Sequence, residues 1–138
     1  MTEENNLMTE LRYEGGKVVS LFESHPPIDV VGTSKVAQIP EAWSPAHLFT
    51  AAVESCFLLT LLAIAEKMHI GIKGYASTAE AIISSADGKH HEIGEIIIRP
   101  TIHFEDESDR LRLKLLVQKS EEYCVVRQSM KARVRVEF

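Results

Sequence analysis

Most of the signatures that announce a function in a chain this size are missing. There is no GxSxG elbow, no glycine-rich phosphate loop and no dinucleotide fingerprint. The only two cysteines, Cys56 and Cys124, stand 68 positions apart. Neither lies in a CxxC pair and no HxxxH occurs, so no metal and no bound cofactor are expected. Basic residues are outnumbered, 15 against 20, for a formal net charge of −5. That balance argues against a protein that tracks phosphates, so nucleic acid is not expected as a partner. The N-terminus, MTEENNL, opens on polar residues with no apolar h-region, so a cytoplasmic location is expected. The most apolar uncharged run, 55–65, has 11 residues, too few for a bilayer, and no membrane partner is expected.

What remains is ordinary soluble material. The 138 residues are 45% apolar and 25% charged, which suits one domain over 1–138 with a real core and a polar tail at 1–7. Two thiols in an intracellular chain are a poor structural staple. They are left as unrelated core residues, a metal pair or a redox pair.

The organising stretch is Trp43 to Ile70. Ser44 suits an N-cap, and Pro45 sits where its missing N–H costs nothing. Trp43 and Leu48 hold the two positions of a hydrophobic staple. No Gly or Pro interrupts 46–68, and Gly71 is the expected stop. Apart from His47, Thr50, Glu54, Glu66 and Lys67, the helix is apolar on nearly every side, so it is expected to be buried by sheet or by a second subunit. Cys56 lies on the stripe Phe49, Ala52, Val53, Cys56, Thr60. A small buried hydrophobe is the plain reading of such a thiol. It stands three turns in, beyond the reach of the helix dipole. A thiolate there needs a cationic side chain or hydrogen-bond donors from elsewhere.

Short β-like runs precede this helix at 8–14, 17–23 and 28–31, with Gly15-Gly16 joining the first two as a hairpin. Residues 33–42 form a loop. Afterwards come strands at 75–84 and 92–105 about an Asp87-Gly88 turn, and Pro100 suggests an edge or a bulge. In the second strand Ile96, Ile98, Ile102 and Phe104 share one face. The acidic run from Glu105 to Asp109 suits a helix start. Leu111, Leu113 and Leu115 alternate like a strand, but Leu113, Leu116, Val117, Ser120 and Cys124 fit a helix, which is preferred. A further short helix fits 125–130, and a last strand alternates over 132–138. The class is α+β with antiparallel hairpins. A helix starting at Cys124 would offer its N–H groups to a thiolate there.

Glu54, two residues from Cys56, points roughly the opposite way on a helix and is a solvated or interface charge. His90-His91 is a solvated pair beside a turn. Chemistry at Glu54, His47 or Glu41 is a separate class of possibility.

The segment SPAHLFTAAVESCFLLTLLAIAEKMHI at 44–70, with a second Cys in SEEYCVVRQSM at 120–130, resembles the OsmC/Ohr family. The features carrying the likeness are the Ser-Pro cap, Leu48-Phe49, a Cys 11 residues after the Pro, and the AEK-hydrophobic ending. The resemblance implies an OsmC-like α+β fold with antiparallel strands about a long buried central helix, in an intertwined homodimer with its sites at the interface. It implies a thiol-dependent peroxidase in which Cys56 attacks a hydrophobic organic hydroperoxide and Cys124 resolves the product as a disulfide, reduced by an external dithiol. The alternative is a non-catalytic binder or sensor of a hydrophobic small molecule in an interface pocket. Three departures from the family pattern stand out. Ala46 occupies the position of a glutamate that orients an arginine on the sulfur. Lys17, and further off Arg12, stand where that arginine is sought. Val125 replaces a proline after the second Cys.

Overall fold

The structure, a computed structural model, describes residues 7–32 and 42–138. Two compact units divide the chain, residues 1–48 and 49–138.

The first unit is an antiparallel sheet in the order β1 (Glu10–Glu14), β2 (Lys17–Leu21), β3 (Ile28–Val30). Gly15 and Gly16 both have positive φ, at 59° and 77°, which lets a two-residue turn close the pair Glu14–Lys17. The Val31 N–H donates to the Trp43 carbonyl at 2.8 Å, and the Trp43 N–H to the Asp29 carbonyl at 3.3 Å, so Trp43 bridges to β3 in parallel. Its side chain stays 48% exposed, so backbone pairing is what fixes the chain's entry into the helix. Ser44 caps that helix as expected, its Oγ accepting from the His47 N–H at 3.2 Å and pairing with His47 Nδ1 at 2.7 Å. Of the expected loop over 33–42 only Ala42 is described; the tail at 1–6 and Glu41 also lie outside the described residues.

α1 (Pro45–Lys67) crosses the division between the units. The helix does not wait for Gly71. His69 takes the left-handed conformation at φ 59°, its N–H donates to the Glu66 carbonyl, and the Ile70 N–H donates to the Ala65 carbonyl at 2.8 Å. This is a Schellman stop with His in the place usually given to Gly, and Ile70 buried against Ala65 accompanies it. A Cβ at Gly71 would meet the Glu105 side chain, whose exposed carboxylate end would have to move aside.

In the second unit β4 (Ile72–Ser84), β5 (Glu92–Phe104) and β6 (Arg133–Val136) form one sheet with β5 in the middle. β4 and β5 are antiparallel, but β6 runs parallel to β5. The intervening segment carries the chain back to the starting end of β5. It holds a 3-10 helix (Glu107–Arg112), α2 (Leu113–Glu122) and α3 (Val125–Gln128). Pro100 therefore lies in the central strand rather than at a sheet edge. Ile98 turns its carbonyl to the Glu137 N–H, so Pro100, two residues on, turns its ring nitrogen to the same side, where β6 has ended. No ladder bond is lost.

The core of this unit joins one stripe of α1 (Val53, Phe57, Leu61, Ala65) to Ile96, Ile98, Ile102, Phe104 and Val134 of the sheet, and to Leu116 and Val117 of α2. The α1 stripe repeats every fourth residue, and Leu61 is wholly buried. Leu111, 90% exposed, and Leu115, 46%, point outward, so the helical reading of this stretch holds over the strand-like alternation. On the other side of α1, Leu59 and Leu62 remain exposed among the described residues. Among the described elements α1 alone has the length and composition of a membrane-crossing helix, but its inward stripe is packed against protein.

Candidate active site: two thiols in an apolar groove

Cys56 sits one position before Phe57 on α1, so it is turned off the buried stripe and is partly exposed. Cys124 is buried, 1% exposed, at the N-cap of α3, with φ −75° and ψ 112°. The helical stripe of α2 faces the core, and that orientation carries Cys124 back to α1. The two thiols, remote in sequence, are close enough to act on one another's ionisation, and they are unlinked.

Their surroundings drive their acidities apart. Burial pushes the Cys56 thiol up. The Cys124 S–H, the Val126 N–H, the Thr60 hydroxyl and the Val125 N–H all donate toward its sulfur and more than offset that, so Cys56 ionises below the ordinary thiol range. The Cys124 thiol goes the other way. Burial raises it, its hydrogen bond to Cys56 and the charge on that sulfur raise it further, and the N–H groups of Arg127 and Val126 offset only part of this. The pair therefore holds its first negative charge on Cys56 and keeps a proton on Cys124.

Sequence reasoning looked for a cation at Cys56, or donors from elsewhere, and assigned the N–H groups after Cys124 to Cys124 itself. The donors are found, and two are those N–H groups: Val125 and Val126 act on Cys56, while Val126 and Arg127 also act on Cys124. Backbone amides carry no residue identity, so nothing in the local sequence says that they reach Cys56. Arg127 is not among the groups acting on Cys56; its Nε is buried with no hydrogen-bond partner among the described residues. Lys17 pairs with Asp29 at 3.4 Å and Arg12 with Glu10 at 2.9 Å. Thr60 was visible in advance as the residue one turn beyond Cys56 on the same stripe.

Cys56 opens into a groove of about 880 Å³ walled by Ala52, Leu59, Ala63, Ile64, Met68 and Val126. Lys67, Lys119 and Tyr123 also line it. Glu54 points away, as its spacing implied, and accepts a hydrogen bond from Ser77 Oγ of β4 at 2.6 Å. His47 is engaged at the helix cap. His90 pairs with Asp87 in the β4–β5 turn, and no cluster of metal-ligating side chains occurs among the described residues.

Fold and site together define an α+β protein with a thiol pair set against a long central helix. The OsmC-like protein family model matches residues 38–138, and the chain belongs to that family. An OsmC-like protein of unknown function from Vibrio cholerae O1 biovar eltor superposes with TM-score 0.85 at 18% identity, covering 97% of this chain and 99% of that one. An OsmC-like protein from Mycoplasma pneumoniae gives TM-score 0.78 at 14% identity, over 99% and 96%. The organic hydroperoxide resistance protein OhrB of Bacillus subtilis gives 0.68 at 19%, over 96% and 97%. No curated protein sequence matches the chain.

Proposed function

We propose that this protein is a thiol-dependent peroxidase that reduces organic hydroperoxides through Cys56 and Cys124. What supports the reading is two neighbouring free thiols with opposed acidities, Cys56 lowered and Cys124 raised, with Cys56 opening into an apolar groove. The Cys56 thiolate attacks the outer peroxide oxygen. The O–O bond breaks, the sulfur becomes a sulfenic acid, and the alkoxide leaves and takes a proton as the alcohol. Cys124 then gives its thiolate to the sulfenic sulfur; an S–S bond forms and water leaves. An external dithiol returns both cysteines to thiols, its own sulfurs ending as a disulfide, so no resident cofactor is required. The apolar groove favours a hydrophobic hydroperoxide over hydrogen peroxide.

The exposed side of α1, with Leu59 and Leu62, suits an intertwined homodimer, the assembly the family resemblance implies. A cytoplasmic setting keeps the dithiol pool that the cycle needs. The test is steady-state consumption of cumene hydroperoxide with a dithiol reductant. Turnover that disappears in Cys56→Ser supports the reading, and no consumption by the reduced protein sinks it.

A second reading draws on the size of the groove together with Ala46 in place of the family's glutamate: a non-catalytic binder of a hydrophobic small molecule. It predicts that Cys56→Ser binds a fluorescent apolar probe as tightly as the parent while neither protein consumes peroxide.

A further inference from the structure

Thr60 stands one turn beyond Cys56 on α1, and its Oγ1 lies 3.9 Å from the Cys56 sulfur. Hydroxyls on helices ordinarily turn back onto the carbonyl four residues earlier. Three others in this chain do so: Ser55 onto Ala51 at 2.7 Å, Ser120 onto Leu116 at 2.7 Å and Ser129 onto Val125 at 2.8 Å. Thr60 makes no such bond among the described residues; its hydroxyl lies within hydrogen-bond reach of the sulfur instead, where either group can donate. Both residues line the same groove.

We propose that Thr60 is the positioning residue of this site: its hydroxyl donates to the Cys56 sulfur and holds it in the rotamer that faces Cys124. A thiolate only accepts, so once Cys56 is ionised the hydroxyl is the donor. This deepens the peroxidase reading and rests on it for its catalytic meaning. The sulfur's titration can nevertheless be read without any turnover. The other titratable groups lining the groove are Tyr123, Lys67 and Lys119; these, and Cys124 beside Cys56, are left intact by the test.

The experiment compares the full chain with Thr60→Val, Thr60→Ser and Thr60→Ala. Cys56 alkylation by iodoacetamide is followed by mass spectrometry across pH, with thermal melting as the folding control. Val keeps the shape and loses the hydroxyl; Ser keeps the hydroxyl. The expected result is a thiolate fraction at acidic pH that falls about two- to three-fold in Thr60→Val, for one neutral donor at long range, and returns toward the parent in Thr60→Ser. Thr60→Ala shows the same fall, and decides the matter should Thr60→Val melt early. An alkylation profile unchanged in both Val and Ala overturns the proposal, as does an equal fall in Ser and Val, which would place the effect in packing. A parent protein that consumes no peroxide but shows this titration pattern would sink the peroxidase reading while leaving Thr60's hold on the sulfur intact.

Discussion

Val125→Pro removes one donor from the Cys56 sulfur while leaving the fold almost untouched. Val125 is the first residue of α3, where proline is the favoured residue because its N–H has no helical partner. Cys124 before it is already extended, at ψ 112°, as the residue preceding a proline must be. The valine side chain is 73% exposed, so little packing is lost. What disappears is the N–H that donates to the Cys56 sulfur. Val125 is the smallest of the contributions that lower Cys56, ranking below the Thr60 hydroxyl, so the thiolate fraction at a pH below the midpoint falls by no more than about two-fold. The assay is the pH profile of Cys56 alkylation in full-length protein, with Val125→Ala, which keeps the N–H, as the control. The substitution also restores the proline that the family resemblance places after the second cysteine. A Val125→Pro protein with an unchanged profile and an unchanged melting curve would refute the claim that these amides poise the sulfur.

Four further outcomes follow from the same geometry. At neutral pH iodoacetamide labels Cys56 ahead of Cys124, because the first is lowered and the second raised; equal labelling by peptide mapping would contradict the assignment. Leu61→Ala opens a cavity in a fully buried site and costs about 2–5 kcal/mol by denaturant titration, against less than about 0.5 kcal/mol for the exposed Leu111→Ala. Ser44→Ala strips the α1 cap and costs about 0.5–2 kcal/mol in the same titration. His69→Gly relieves the left-handed residue at the helix stop and raises stability by about 0.5–1 kcal/mol, whereas His69→Ala does not.

The elements that declare themselves in sequence are those specified locally. Gly15-Gly16 between two alternating runs gives the hairpin, and the Ser44-Pro45 start followed by an unbroken apolar stretch gives α1. Leu116, Val117 and Ser120 at helical spacing decided α2 correctly against the strand-like leucines. The parallel pairing of β6 was not legible, since it depends on how the 3-10, α2 and α3 segment crosses the sheet rather than on any residue of β6. The end of α1 was misplaced at Gly71 because His69 adopts a conformation that glycine usually supplies. Pro100 pointed to an edge or a bulge; β5 is central and its register shifts with β4 lie elsewhere, so the register with β6 explains the tolerance. At the site, the meeting of Cys56 and Cys124 was expected from family likeness alone; the 67 intervening residues encode it nowhere locally. The amides after Cys124 were anticipated as donors to Cys124; those of Val126 and Arg127 do act on it, and those of Val125 and Val126 act on Cys56 as well.

One equivalent of cumene hydroperoxide added to fully reduced protein, followed by quenching and disulfide mapping, tests the thiol pair most directly. The expected product is a chain lighter by two hydrogens with the Cys56 and Cys124 peptides joined, and with sulfenic acid trapped on Cys56 in Cys124→Ser. A chain that keeps both thiols free, or that oxidises first at Cys124, would contradict it.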